Sequence, residues 1–83
     1  MEKIDMKKDI RYVIGTMDEV PMFLRLDFST RKYFLTDNVA VATKATSKEA
    51  ARETLTYYKE LSVDDRPFAI LPVEVNYRLL DNG

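Results

Sequence analysis

Thr46-Ser47-Lys48-Glu49-Ala50-Ala51-Arg52-Glu53-Thr54-Leu55-Thr56-Tyr57-Tyr58-Lys59-Glu60-Leu61 is the stretch whose reading decides the fold. Thr46 followed three residues later by Glu49 has the form of a capping box. There the threonine hydroxyl accepts from the N3 amide and the glutamate carboxylate accepts from the cap's own N–H. Ala51, Leu55 and Tyr58 then recur at spacings of four and three, flanked by Ala50, Thr54 and Leu61, while Lys48, Arg52, Thr56, Lys59 and Glu60 fall on the far side. One apolar stripe on an otherwise wet helix must be laid on something. No other segment has a comparable helical period, so the rest of the chain is read as the sheet beneath it.

Working outward toward the N-terminus, Val39-Ala40-Val41-Ala42-Thr43 mixes β-branched residues with alanines and reads as an irregular or one-turn lead into the cap. Lys32-Tyr33-Phe34-Leu35-Thr36 is a short strand closed by Asp37-Asn38. Met22, Leu24, Leu26 and Phe28 alternate with Phe23, Arg25 and Asp27, the clearest two-residue period in the chain. Ile10, Tyr12 and Ile14 alternate with Arg11, Val13 and Gly15, and Asp18-Glu19-Val20-Pro21 supplies a turn between these two strands, which read as an antiparallel hairpin. Residues 1–9 are mixed in charge and are taken as a frayed leader or a helical turn. On the C-terminal side, Ser62 to Pro67 is a loop, since proline prevents continuation of the helix. Phe68 to Leu71 and then Val73, Val75, Tyr77 and Leu79 form a last strand, broken at Pro72. The expected fold is a single two-layer α+β domain, residues 1–83, with an antiparallel sheet of three to four strands and one main helix in the order β-β-β-α-β. Leu55 and Tyr58 are expected on the sheet face carrying Leu24 and Leu26, against the last strand at Val73 and Val75.

Eighty-three residues suffice for one modest core. The 13 basic and 14 acidic residues nearly cancel to a net charge of −1, so no global polycation is present to hold nucleic acid. Cysteine is absent, the longest apolar run contains Pro72, and the first eight residues have charges interspersed throughout and no apolar h-region. These features fit a cytoplasmic protein that neither spans a membrane nor carries a secretory signal.

Ala42-Thr43-Lys44-Ala45-Thr46-Ser47-Lys48-Glu49-Ala50-Ala51, with Phe68-Ala69-Ile70-Leu71-Pro72-Val73-Glu74-Val75 after it, resembles small uncharacterised accessory proteins of bacteriophages that infect Gram-positive bacteria. The resemblance covers about half the chain. It implies an α+β fold and a phage or mobile-element setting, and it brings no catalytic residues with it.

The chemistry available is sparse. With no histidine and no cysteine, the usual general base at neutral pH, the usual activated nucleophiles and the soft metal ligands are missing. Two glycines cannot build a phosphate cradle, and Asp64-Asp65 and Asp18-Glu19 lack the spacing of a calcium loop and read as solvated turn residues. The expectation is a protein that is not an enzyme and needs no cofactor. What remains is binding. In a two-layer fold the second sheet face has no helix on it, and Phe23, Arg25, Arg31, Lys32 and Tyr33 are the candidate partner-binding residues, aromatics and arginines being the types that anchor interfaces. Two occupants compete for that face: a host or host-defence protein such as a nuclease, blocked stoichiometrically in the manner of an anti-defence or anti-CRISPR protein, and a second copy of this chain as a homodimer. The alternative function is a small nucleic-acid-binding accessory that stacks bases on Tyr33 beside Arg31, Lys32 and Lys48. Asp37, Glu49 and Glu53 dilute the positive field this would need.

Overall fold

The computed structural model describes residues 6–78. The chain runs through β1 (Met6–Thr16), β2 (Phe23–Asp27), β3 (Lys32–Thr36), a single 3-10 turn (Val39–Val41), α1 (Lys48–Leu61) and β4 (Phe68–Arg78). The strands form one antiparallel sheet in the order β3-β2-β1-β4, and α1 lies on one face of it. The domain is thus a small two-layer α+β fold.

Alternation decides which side chains lie under the helix. Ile14, Leu24, Ala51 and Tyr58 are the buried centre, and Tyr12, Tyr33, Leu35, Ala45, Leu55, Phe68 and Ile70 pack around them. The helical stripe of Ala51, Leu55 and Tyr58 is therefore the core stripe. Its partner on the last strand differs from the sequence expectation. Ile14 pairs with Ile70 and Thr16 with Phe68, so Phe68 and Ile70 share the helix-covered face, whereas Val73 and Val75 alternate to the other one.

Three further features depart from the sequence reading. First, β1 and β2 are not an extended hairpin: they share the single pair Gly15 and Phe23, while β1 pairs with β4 over its whole length, from Met6 opposite Arg78 to Thr16 opposite Phe68. Strand β1 begins at Met6, ahead of the alternation that starts at Ile10. Residues 1–5 of the expected leader, and the end of the chain from 79 to 83, lie outside the described residues.

Second, β4 runs through Pro72 without a break. Tyr12, opposite Pro72, directs both backbone groups away from β4, donating to Ala45 O (2.9 Å) and accepting from Ala45 N (2.8 Å). In an antiparallel pair the residue opposite then directs its own backbone groups outward as well. The missing proline N–H therefore falls on the open edge of β4, where no ladder bond is lost.

Third, the helix cap is Ser47. Its hydroxyl accepts from Ala50 N at 3.0 Å, and Thr46 stays exposed outside the helix. With Ser47 as cap the N3 position is Ala50, which has no carboxylate, so Glu49 closes no capping box. Glu49 instead sits in the first turn and Lys59 in the last, each at the end of the helix dipole that suits its charge. Ser47→Ala should accordingly destabilise the domain by about 1 kcal/mol, and Thr46→Ala by less than about 0.5 kcal/mol. Thermal unfolding of the two variants distinguishes this cap from the box at Thr46, which demands the opposite order.

Candidate functional site

The most distinctive local geometry is the turn between β2 and β3. Asp27 and Lys32 are the last strand pair, leaving Phe28, Ser29, Thr30 and Arg31 to reverse the chain. Arg31 N donates to Asp27 O at 2.7 Å, and this closure requires a left-handed residue: Arg31 has φ 58°. A left-handed arginine carries strain of about 1 kcal/mol that glycine would not. The Asp27 carboxylate fixes the near corner of the turn. It accepts from Ser29 Oγ (2.8 Å) and Ser29 N (3.0 Å), and those bonds, the hydroxyl's first, hold its carboxyl below the usual range.

So braced, the turn leaves Phe28 76% exposed. Across from it the last two turns of α1 present Tyr57, 57% exposed, and Leu61, 63% exposed. Leu26 and Tyr33 complete the lining with Arg31, giving an open groove of about 370 Å³. Tyr33 belongs to groove and core at once. Its ring meets Tyr58 edge-on, with centroids 5.4 Å apart at 67°. Burial, with a smaller contribution from Tyr57, pushes its hydroxyl above the ordinary tyrosine value, so it remains a neutral donor at physiological pH.

Beside the groove, Tyr58 anchors α1 to the loop that follows it. Its hydroxyl donates to Asp64 Oδ2 (2.9 Å), and Arg66 grips the same carboxylate through Nε to Oδ1 (2.9 Å) and Nη2 to Oδ2 (2.7 Å). The Arg66 bonds hold the Asp64 carboxyl far below the usual carboxylate range. Burial and the bond to Asp64 raise Tyr58. Both Asp64 oxygens are thus engaged by protein, and among the described residues no three acidic, histidine or cysteine side chains gather as a metal site.

The residues singled out in the sequence divide between two faces. Arg31 and Tyr33 line the groove on the helix side. Phe23 and Arg25 alternate to the opposite face, where Arg25 stands beside Phe34 and is exposed. Lys32 is exposed at the end of β3. That opposite face is partly covered from within. Val13 is buried there, and the Phe23 ring lies over Gly15 so closely that a Cβ at Gly15 would stand 3.2 Å from Phe23 and from Leu71. Lys44, four residues before Lys48, is occupied structurally: its Nζ donates to Val39 O (3.1 Å), Ala40 O (2.8 Å) and Ala42 O (3.0 Å).

Sequence reasoning missed Phe28, Tyr57 and Leu61. Phe28 continues the alternation of β2 and looks like a fourth inward residue, yet the strand ends at Asp27. Tyr57 and Leu61, four residues apart, form a second apolar pair on the flank of the core stripe, and that spacing was the available signal. No family model, curated protein or solved structure matches the chain.

Two outcomes follow from this geometry. Arg31→Gly should stabilise the fold by about 0.5 kcal/mol, relief of left-handed strain outweighing the added flexibility of glycine, and chemical denaturation measures it. For Asp64, a folded-state pKa below the unfolded value means that stability is fully present above about pH 5 and is lost as pH falls through and below the ordinary carboxylate value of 3.8. Asp64→Asn should be less stable than wild type at neutral pH and should show a smaller drop in melting temperature between neutral and acid pH.

Proposed function

We propose that this chain works by stoichiometric, non-catalytic binding of another protein, and that the groove between the β2–β3 turn and the end of α1 is the contact. The observation that supports this reading most is the turn itself. An arginine occupies a position where glycine would be free of strain, next to a largely exposed phenylalanine. A left-handed non-glycine residue at an exposed turn is the kind of backbone outlier from which a functional hypothesis is drawn. The lining of Phe28, Arg31, Tyr33, Tyr57 and two leucines has the composition of an interface centre, rich in the aromatic and arginine side chains that carry binding energy. A standard contact needs about 800 Å² on each partner, within reach of a domain of this size.

The resemblance of residues 42–51 and 68–75 to phage accessory proteins suggests the setting. The partner is then a host or host-defence protein such as a nuclease, met in the cytoplasm and inhibited by occupation. The absence of histidine and cysteine from the sequence fits a mode of action that makes and breaks no bonds.

The test compares capture from host lysate by wild type, Phe28→Ala and Leu61→Ala, followed by titration of the purified partner. Each substitution should weaken binding tenfold or more, about 1.4 kcal/mol, while the melting temperature stays near that of wild type, since both side chains are largely exposed. Binding of single- or double-stranded nucleic acid that falls steeply with salt, with no protein retained, would overturn the reading in favour of a nucleic-acid accessory.

A further inference from the structure

We propose that β3 is a self-complementary edge and that it pairs antiparallel with β3 of a second copy of this chain, centred on Phe34, joining two four-stranded sheets into one. This goes beyond the groove and does not depend on it.

Hydrogen bonding shows which backbone groups of β3 are open. Thr43 N donates to Leu24 O (3.1 Å) and Leu26 N donates to Thr43 Oγ1 (2.7 Å), so Leu24 and Leu26 direct their backbone groups away from β3. By alternation, Phe23, Arg25 and Asp27 bond to β3 through their partners Thr36, Phe34 and Lys32. The remaining residues, Tyr33 and Leu35, therefore point their N–H and C=O groups off the end of the sheet. Among the described residues nothing bonds to them there. The opposite edge differs: β4 carries Pro72, whose nitrogen lies on its open side and cannot donate to an incoming strand.

Antiparallel pairing of two identical edges through Tyr33 and Leu35 can be centred on Tyr33, Phe34 or Leu35. Centred on Tyr33, it sets Lys32 against Phe34 and Leu35 against Arg31. Centred on Leu35, it sets Tyr33 against Asp37 and Phe34 against Thr36. Centred on Phe34, it sets Tyr33 against Leu35 of the second copy, and each such pair exchanges both of its hydrogen bonds. The two Phe34 side chains then form a non-hydrogen-bonded pair, the closer kind, with Cβ atoms about 5 Å apart. Phe34 is 47% exposed on the single chain, so pairing gives it a cover it lacks. Charge follows the same register. Arg31 at one end of each strand meets Asp37 of the other copy, with Lys32 opposite Thr36, and both Arg31 and Asp37 are exposed and form no ion pair among the described residues. The centring on Phe34 thus matches apolar to apolar on both faces and basic to acidic at both ends.

Sedimentation and light scattering over a wide concentration range read the association directly, with an expected mass rising toward twice the 9.7 kDa of one chain. Phe34→Glu places two carboxylates together on the two-fold axis while facing Arg25 within its own chain, and should be a folded monomer. Asp37→Arg should weaken association tenfold or more, and adding Arg31→Asp to it should restore the pair. Amide exchange supplies a readout independent of any variant: the Tyr33 and Leu35 amides should slow as protein concentration rises, while the Arg25 amide, already bonded to β3, should not change. A mass of one chain at every concentration overturns the proposal. So does a dimer that persists in folded Phe34→Glu, or concentration-independent exchange at Tyr33 and Leu35.

Discussion

The rest of the structure depends on how the gap between β1 and β2 is closed. The two strands touch at Gly15 and Phe23, where Thr16 N donates to Met22 O (2.8 Å), and then part. Parting exposes backbone groups on both strands, and buried groups of that kind must be paired. Thr43 and Ala45 do this from within the gap: Thr43 bonds to β2 through its amide and its hydroxyl, and Ala45 exchanges both its bonds with Tyr12 of β1. The segment therefore acts as a short inserted strand. Lys44, between its two bonding residues, turns outward and ties down the carbonyls of the preceding 3-10 turn. Because Ala45 is fixed on β1, Ser47 can only begin the helix above the centre of the sheet, and Ala51 arrives fully buried near Ile14 and Leu24. The residual void there is only about 10 Å³, no more than one water could fill.

Tyr58 then fixes the far end of α1. Tyr33 and Phe68 both meet its ring edge-on, from β3 and β4 respectively, with centroids 5.4 Å and 5.7 Å away. Such pairs add about 0.5–1.5 kcal/mol each beyond simple burial. Its hydroxyl reaches out of the core to Asp64, so the loop that returns the chain to β4 is bonded to the helix it leaves. The groove inherits its shape from this joint. Tyr33 is held upright by Tyr58, and Tyr57 and Leu61 follow from the same helical phase on the next strip of surface.

How much of this was legible in the sequence follows from what each signal measures. Periodicity reports burial, so Ala51, Leu55 and Tyr58 on the helix and Leu24 and Leu26 on β2 could be read directly. It does not report which strands are neighbours. The pairing of β1 with β4, and with it the placement of Phe68 and Ile70 under the helix, came from long-range register that no local pattern encodes. Thr46 and Ser47 are both good caps, and a Glu three residues after the first favoured the wrong one. The choice was made by Ala45, whose bonds to Tyr12 hold the chain extended one residue longer. Among the site residues, Arg31 and Tyr33 were legible as an arginine and an aromatic flanking a turn. Phe28 was not, because alternation continues past the residue where the ladder stops.

Strain and exposed apolar surface are concentrated at the β2–β3 end of the sheet, the end that carries both proposed contacts. A domain of this length has net stability on the order of 5–10 kcal/mol, so a left-handed arginine worth about 1 kcal/mol is a visible fraction of the whole. The same end carries an exposed Phe28, an exposed Phe34 and an edge strand with outward amides at Tyr33 and Leu35. At the other edge of the sheet the corresponding liabilities have been removed, for Pro72 withholds the donor that an intruding strand would need and Glu74 stands exposed beside it. Were the open edge of β3 merely tolerated, the two edges would be expected to look alike, since aggregation penalises both equally. They do not: on β4 the outward groups of Ile70 and Glu74 are interrupted by Pro72, whereas the strained turn and the exposed Phe28 and Phe34 lie beside the uninterrupted edge of β3.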